Sequence, residues 1–164
     1  MIYVLDGPDG AGKSTLAKEY ARTALCIPVY HVLGVPPGVV AMSFFADLFY
    51  RNSSAIFDRF IVSEYVYGPL LRDHFQVSLG DIQTFVDFTL WAMPKWIICL
   101  PPFDVCQENW REKLKSGDQV NTEDLFRRSY ARFEEVLYHL PLHFERHDYT
   151  RSEAYRSRIT AEAG

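Results

Sequence analysis

Five short stretches of the chain have the residue pattern of β-strands. Four are runs of mainly apolar side chains, and the last alternates apolar and polar positions. These stretches cover residues 2–5, 29–33, 54–58, 95–100 and 142–147. The stretch at 95–100 is almost continuously apolar, as is usual for a strand of a parallel sheet that is buried on both faces.

The segments between the strands repeat apolar residues at the three- and four-residue spacing of amphipathic helices. Predicted helices cover residues 13–25, 40–50, 60–73, 79–93, 103–115, a long segment that starts at 122, and 149–163. Thr122 is suited to be an N-cap because two acidic residues follow it in the first turn. Alternating strands and helices predict a three-layer α/β fold, in which a roughly five-stranded parallel sheet is flanked by helices.

The segment after the first strand fits the pattern Gly-x-x-x-x-Gly-Lys-Ser/Thr. Its glycines allow the backbone to curl so that amides point at an anion, and the start of a helix adds its positive dipole end. Lys13 would reach the β- and γ-phosphates, and the Ser14 hydroxyl would join the shell of a Mg²⁺ ion. The sequence therefore predicts a site for ATP and Mg²⁺ rather than a turn without a ligand. Its members are Gly7, Asp9, Gly10, Ala11, Gly12, Lys13, Ser14 and Thr15.

A second informative stretch ends the strand at 54–58, where Asp58 and Arg59 follow three apolar residues. In open parallel sheets the ligand crevice lies beyond the carboxyl ends of the strands. Asp58 there would hold Mg²⁺ or its water, and Arg59 would grip a phosphate. The alternative is a surface ion pair at the end of a strand.

Three polar or half-polar residues, Glu64, Tyr67 and Arg72, follow the Asp-Arg pair within the next predicted helix. They would line a pocket for a nucleoside, or they decorate an amphipathic helix; the pattern leaves both interpretations open. Phe44 belongs to a group of aromatic residues in the helix at 40–50. Its alternatives are core packing and stacking on a base.

The pattern of residues 108–122 predicts a short helical lid. Arg111, Lys113 and Lys115 form a basic cluster at the end of a helix, beside a polar turn that contains Gly117 and Asp118. A lid that closes on phosphates carries its cations in this way. The alternative is a solvated helix face.

The composition limits the classes of function. A chain of 164 residues is expected to form one domain, and 48% hydrophobic and 23% charged residues are ordinary for a soluble protein. No apolar run is long enough to cross a membrane, and no secretory signal pattern is present. Three cysteines without zinc-ligand spacing suit reduced thiols in a cytoplasm. A net charge of −4 argues against a duplex DNA binder but does not exclude a local basic groove. The five histidines are interpreted as structural.

These parts together indicate phosphoryl transfer, which needs a phosphate cradle, Mg²⁺, cations for the developing charge and a group that orients the acceptor. The Asn-Lys-x-Asp signature of a guanine-reading GTPase is absent. A small kinase is the best interpretation.

The resemblance to the thymidylate kinase family lies in two motifs. Residues 7–15, with an acid at Asp9, look like the family's phosphate loop, and 58–60 matches its Asp-Arg-aromatic motif. Residues 63–68 are similar to the stretch that closes over the thymine and its sugar. The chain also resembles small nucleotide kinases of bacteriophages.

The resemblance implies a P-loop kinase fold and a role for each site residue. Asp9 would contact the 3′-hydroxyl of the acceptor, Asp58 would sit at the metal, and Arg59 would hold the acceptor phosphate. Tyr67 and Arg72 would border the base, and Arg111 would meet the transferred phosphoryl group. The expected reaction is transfer of the γ-phosphoryl group of ATP to a deoxynucleoside monophosphate. Family members are often homodimers, and 15% aromatic residues would allow an apolar interface.

Two departures keep other acceptors open. Only about 43 residues separate Ser14 from Asp58, fewer than thymidylate kinases use, and the segment that reads thymine has no clear match. Phe44 or Phe45 would then substitute by stacking. A hydroxyl of a deoxynucleoside, or of a hydroxymethyl pyrimidine that is free or within DNA, is an alternative acceptor. A binding module switched by ATP is the alternative outside the enzymes.

Overall fold

A computed structural model of the protein describes residues 1–23, 27–72, 76–114 and 122–153. Within these ranges, five strands form one sheet in the order β2-β3-β1-β4-β5. They are β1 (Ile2–Asp6), β2 (Val29–His31), β3 (Ala55–Asp58), β4 (Lys95–Cys99) and β5 (Glu145–His147). Every pairing between neighbouring strands is parallel, so the carboxyl ends of all five strands meet at one edge of the sheet.

The described part of the chain also contains six α-helices and two short 3₁₀ helices, Leu90–Ala92 and Tyr149–Arg151. The α-helices are α1 (Lys13–Thr23), α2 (Ala41–Tyr50), α3 (Ile61–Leu71), α4 (Leu79–Thr89), α5 (Phe103–Leu114) and α6 (Glu123–His139). The predicted N-cap of α6 is confirmed, because the Thr122 hydroxyl accepts a hydrogen bond from the amide of Leu125. Ser78 and Asp81 form a capping box at the start of α4.

The central strands explain the layered architecture. Every residue of β1 and β3 is buried, although successive side chains of a strand point to opposite faces. Helices must therefore cover both faces of the sheet, which confirms the predicted three-layer α/β fold. The largest side chains that are completely inside the core are aromatic: Phe45, Phe49, Phe57, Phe60, Phe85, Phe126 and Phe133.

The structure corrects several predicted boundaries. The strand predicted at 29–33 is shorter and ends at His31. The helix predicted at 79–93 ends at Thr89 and continues only as a 3₁₀ turn, because Met93 precedes a proline and adopts a left-handed φ of 46°. The strand predicted at 142–147 is shorter, since residues 141–143 form a turn closed by a hydrogen bond from His143 N to Leu140 O. Of the helix predicted at 149–163, a 3₁₀ turn is present at its start, and residues 154–164 lie outside the described ranges.

Parallel register brings the ends of three strands together. Asp58 is paired with Leu5 of β1 on one side and with His31 of β2 on the other. An acidic residue therefore lies on the strand next to β1, as predicted. None of the described helices has the length and apolar character needed to span a bilayer.

Candidate active site

The glycine-rich loop joins β1 to α1 at the carboxyl edge of the sheet. Lys13 is the first residue of α1 and is 5% exposed. Its Nζ donates hydrogen bonds of 2.7 Å to the carbonyl oxygens of Gly7 and Pro8. Burial lowers the pKa of Lys13, and the positive charge of Arg59 lowers it further. The loop thus curls around a buried amine, an arrangement suited to a phosphate cradle.

Helix α5 supports this loop from outside. Gly10 has a φ of 82°, and a Cβ there would lie 2.5 Å from the carbonyl oxygen of Cys106 and 2.8 Å from the amide of Trp110. The side chain of Asn109 donates to Gly10 O at 3.1 Å, and the Cys106 thiol donates to Asp9 O at 3.3 Å. Glycine is required at position 10 because both the backbone conformation and the space exclude a larger residue.

Contacts among three polar side chains, those of Ser14, Asp58 and His31, connect the loop to the edge of the sheet. The Ser14 hydroxyl donates to Asp58 Oδ2 at 2.9 Å, and His31 Nδ1 lies 3.0 Å from the same oxygen. Asp58 is 4% exposed, whereas His31 is 62% exposed. A hydroxyl and a carboxylate oxygen are the hard donors that suit Mg²⁺, which is usually held by few protein ligands together with phosphates.

Arg59 forms an ion pair with Asp9 of the loop. Its guanidinium carbon also lies 5.3 Å from the centre of the Tyr67 ring, within the range of a cation–π contact. Burial is the largest single influence on Arg59 and would lower its pKa, but the pKa is raised because Asp9, Tyr67, Asp58 and Asp6 together outweigh burial. The φ of Arg59 is 72°, a left-handed conformation that is uncommon for a non-glycine residue and concentrates at functional sites.

A shallow cleft lies beside Arg59, with about 280 Å³ of empty space that includes open solvent. Glu64 and Arg72 form an ion pair of 2.6 Å in its wall, and the amide of Val35 donates to the same Glu64 oxygen at 3.3 Å. The side chain of Glu64 is 1% exposed and that of Arg72 is 27% exposed. The pocket is lined by Val32, Leu33, Gly34, Phe45, Arg59, Phe60, Ser63, Glu64, Tyr67 and Arg72.

Most of the predicted site residues fall into two groups. Ser14 and Asp9 of the loop contact Asp58 and Arg59 at the sheet edge, and Glu64, Tyr67 and Arg72 line the adjacent pocket. Phe44 is not among the lining residues; the neighbouring Phe45 is, and the two rings contact edge-on at 5.4 Å.

Arg111 lies on the exposed end of α5, 3.4 Å from Glu123. Lys115 of the predicted basic cluster lies outside the described ranges, as do residues 116–121 of the predicted lid.

Asp6 was not predicted to have a role. It is 1% exposed, and its Oδ1 accepts hydrogen bonds from the amides of Phe60 and Ser63 and from the Ser63 hydroxyl. Burial raises the pKa of Asp6, although these hydrogen bonds act in the opposite direction. The carboxyl group fixes the first turn of α3, and therefore Arg59, against the end of β1.

Three further residues contact the loop or Asp58 without a predicted role in the site. His31, interpreted from the sequence as structural, lies in the middle of the stretch predicted as a strand at 29–33, whereas β2 ends at His31 and so places it beside Asp58. Asn109 bridges Gly10 O and the hydroxyl of Tyr149, which accepts at 2.6 Å. The Tyr149 ring lies 3.1 Å from where a Cβ on Gly12 would be. Their contacts depend on how α5 and the chain after β5 pack on the loop, and no sequence motif encodes that packing.

Both described cysteines lie behind the site. Burial raises the pKa of Cys99 and of Cys106 to about 12 each, so these thiols stay protonated and unreactive at neutral pH. Cys26 lies outside the described residues. Within the described ranges there is no group of three or more His, Cys, Asp or Glu residues that could hold a metal ion by itself.

The chain is similar in fold to solved structures of two other proteins along nearly its whole length. A crystal structure of YorR protein from Bacillus subtilis, in complex with phosphorylated GDP, is 19% identical, with a TM-score of 0.72 over 99% of this chain and 96% of that one. Deoxyadenosine kinase from M. mycoides is 16% identical in a complex with dCTP (TM-score 0.57) and 15% in a complex with dCMP and dCDP (TM-score 0.62). Each of these two likenesses covers 99% of this chain and 98% of the kinase.

Neither a protein-family model nor a curated protein sequence matches the chain. At this level of identity the structural likeness establishes the fold, and function has to be argued from the site itself.

Proposed function

We propose that the protein is an ATP- and Mg²⁺-dependent phosphotransferase that transfers the γ-phosphoryl group to a deoxynucleoside monophosphate of the thymidylate type. The observation that carries this proposal is the hydrogen bond between Ser14 and Asp58. It joins the phosphate loop to the acid of the next strand, directly beside a pocket that Arg59 and Arg72 line. A donor bound at the loop and an acceptor bound in the pocket would then be adjacent, as an in-line transfer requires.

Each residue has a role that follows from its position. The ammonium of Lys13 would bind phosphate oxygens of the donor and stabilise the charge that develops on them. Ser14 and Asp58 would hold Mg²⁺, which neutralises phosphate charge when it is bound. Arg59 would turn from Asp9 to the acceptor phosphate, leaving Asp9 for the sugar hydroxyl. Arg111 would come from the lid to the transferred group.

A second candidate is a kinase whose acceptor is a hydroxyl group of a nucleoside or of a modified pyrimidine. One observation favours it: the two guanidinium groups of the pocket are each matched by a carboxylate, Arg59 by Asp9 and Arg72 by Glu64. A pocket with balanced charge suits a neutral acceptor, whereas a monophosphate must break the pair between Arg59 and Asp9. The likeness in fold to a deoxyadenosine kinase, which extends over 98% of that kinase, supports the same candidate.

An acceptor screen tests both candidates. ATP consumption with Mg²⁺ is measured against the four deoxynucleoside monophosphates, the matching nucleosides, and a hydroxymethyl pyrimidine as a nucleotide and within an oligonucleotide. Turnover that depends on one monophosphate supports the first candidate. Turnover only with a neutral nucleoside or a hydroxymethyl group replaces it with the second. ATP binding without turnover by any acceptor contradicts both and favours an ATP-switched module.

Lys13→Ala supplies the control for the site. We expect it to abolish acceptor-dependent turnover, because removal of a group that stabilises transition-state charge typically costs about 10²- to 10³-fold. The matched variant is Lys18→Ala, which removes an exposed lysine of the same helix and should leave turnover unchanged. Equal activity of the two variants would show that the donor site is elsewhere.

A further inference from the structure

Helix α5 contacts two successive carbonyl groups of the phosphate loop. The Cys106 thiol donates to Asp9 O at 3.3 Å, and the side-chain amide of Asn109 donates to Gly10 O at 3.1 Å. Positions 106 and 109 are three residues apart, so they lie on the same face of the helix. Two donors on one helix face therefore hold the outer edge of the loop by its backbone.

These contacts set the direction in which the next amides point. The described peptide bonds are all trans, and in a trans peptide the carbonyl of one residue and the N–H of the next point in opposite directions. With Asp9 O and Gly10 O turned to α5, the N–H groups of Gly10 and Ala11 point away from that helix. The amide of Ala11 accordingly donates at 3.3 Å to Pro8 O. Lys13 Nζ contacts the same oxygen at 2.7 Å, so this amide lies on the inner side of the loop.

Inward amides are what a phosphate cradle requires. Successive N–H groups that converge form a concavity that binds anions, and the start of a helix adds its positive dipole end. If a peptide unit between residues 9 and 11 rotated, a carbonyl oxygen would face the phosphate in place of an N–H and would repel it. A side chain that holds a carbonyl outward therefore acts on phosphate binding without touching the phosphate.

Asn109 is itself held by Tyr149. Its side-chain nitrogen also donates to the Tyr149 hydroxyl, at 2.6 Å. An amide nitrogen carries two hydrogens, so Asn109 can serve Gly10 O and this hydroxyl at the same time. The edge of the Tyr149 ring lies 3.1 to 3.2 Å from the place that a Cβ on Gly12 would occupy. Tyr149 thus orients the amide of Asn109 and packs on the loop two residues further along.

We propose that Asn109 is a positioning residue for the donor nucleotide. By holding Gly10 O outward it keeps the loop amides turned towards the nucleotide phosphates, and the Tyr149 hydroxyl keeps Asn109 in this orientation. The inference rests on the proposed function in one respect, that this loop binds nucleotide phosphates, and it is independent of the acceptor. A contact that only stabilised the fold would change the free energy of unfolding and leave the affinity for nucleotide as it is.

Isothermal titration calorimetry with Mg²⁺ and adenylyl imidodiphosphate, an ATP analogue that is not hydrolysed, tests the proposal without an acceptor. Asn109→Leu keeps the size of the side chain and adds no charge, but it removes the donor. We expect binding to weaken roughly 10-fold, which corresponds to the loss of one hydrogen bond of ordinary strength. The control is Gln107→Leu, which removes a side-chain amide of the same helix that donates to Glu123, and it should leave binding unchanged.

Tyr149→Phe tests the second step and removes only one hydroxyl group, so it also serves if Asn109→Leu does not fold. We expect it to weaken binding roughly 3-fold in the wild-type background. In the Asn109→Leu background it should have no effect, because the hydroxyl acts through Asn109. Equal effects in the two backgrounds would show that Tyr149 does not act through Asn109 and would overturn that step.

The amide signals of ¹⁵N-labelled protein give a direct readout. The amide protons of Gly10 and Ala11 should move downfield when the analogue binds to wild type, because they approach phosphate oxygens, and they should move less in Asn109→Leu at saturation. Unchanged affinity and unchanged amide shifts in Asn109→Leu would overturn the inference. The proposed function would survive that result if Lys13→Ala still lost binding. If wild type bound no nucleotide, both would fail.

Discussion

His31 and Asp58 meet at the ends of adjacent strands, where Nδ1 of the histidine lies 3.0 Å from Oδ2 of the aspartate. The same oxygen accepts a hydrogen bond of 2.9 Å from Ser14. The carboxylate is therefore held from two sides, by the phosphate loop and by the edge strand. By orienting Asp58, His31 would support the binding of the Mg²⁺ that we propose this carboxylate holds.

We predict that His31→Ala weakens the response of the protein to Mg²⁺. Loss of an orienting partner typically costs about 10- to 100-fold in metal affinity or activity. His31→Asn should recover part of the loss, because its side-chain amide keeps a donor near Asp58. Initial rates across a Mg²⁺ titration measure the effect, and Mn²⁺ binding in the presence of ATP, followed by electron paramagnetic resonance, measures it without turnover.

The control for that experiment is His143→Ala. His143 lies 3.8 Å from Asp87, so it also faces a carboxylate. It belongs to the turn before β5, which is three strands away from the β3 strand that carries Asp58. Its removal should not change the metal response. If His31→Ala and wild type have the same Mg²⁺ midpoint and the same Mn²⁺ affinity, His31 does not position Asp58.

We predict that Gly10→Ala is more destabilising than Gly38→Ala. The two glycines have nearly the same φ, 82° and 79°, so the backbone strain of an alanine is similar. At Gly10 the new Cβ would collide with the backbone of α5, whereas at Gly38 there is nothing within 4 Å. The collision should add roughly 1–3 kcal/mol to the loss of unfolding free energy. Urea unfolding measures both variants; equal losses would mean that α5 yields without cost.

We predict that Arg72→Met lowers the unfolding free energy by roughly 3 kcal/mol, because it removes the guanidinium that faces the buried carboxylate of Glu64. Combining it with Glu64→Gln should restore most of the loss, since the buried side chain that lost its partner is then neutral. Chemical denaturation of the wild type, the two single variants and the double variant completes the cycle. Additive losses would show that the two side chains do not act as a pair.

The sequence was sufficient to predict the fold. Four apolar runs and one alternating stretch predicted the five strands, and the helices between them predicted the parallel arrangement. The loop motif and Asp58 were found because each ties a residue type to a strand end, where parallel register brings it to the common edge. The glycines of the motif also indicate close packing of the loop. At Gly7 there is no room for a Cβ beside the carbonyl oxygen of Cys99.

The residues that were missed depend on contacts between distant segments. His31 approaches Asp58 only through the register of a short edge strand, and Asn109 reaches Gly10 only because α5 packs on the loop. Which of Phe44 and Phe45 lines the pocket depends on how α2 is rotated about its axis. The sequence leaves this rotation ambiguous, because both neighbouring residues are aromatic. Helix ends were set by local chemistry, as at Met93 before a proline.

We predict that Asp6 makes the stability of the protein depend on pH. Burial raises the pKa of Asp6 in the folded state above its ordinary value of 3.8. Between 3.8 and the folded pKa, the folded state binds more protons than the unfolded state, so this group makes the wild type less stable as the pH rises. Asp6→Asn removes that titration but keeps an oxygen that can accept from Phe60 and Ser63. The unfolding free energy of Asp6→Asn minus that of wild type should therefore increase from pH 3.8 upward and become constant above the folded pKa. Thermal and urea unfolding at a series of pH values measure the difference, in which the other titrating groups cancel. A difference that is flat or falls with pH would mean that the hydrogen bonds to the carboxylate outweigh its burial.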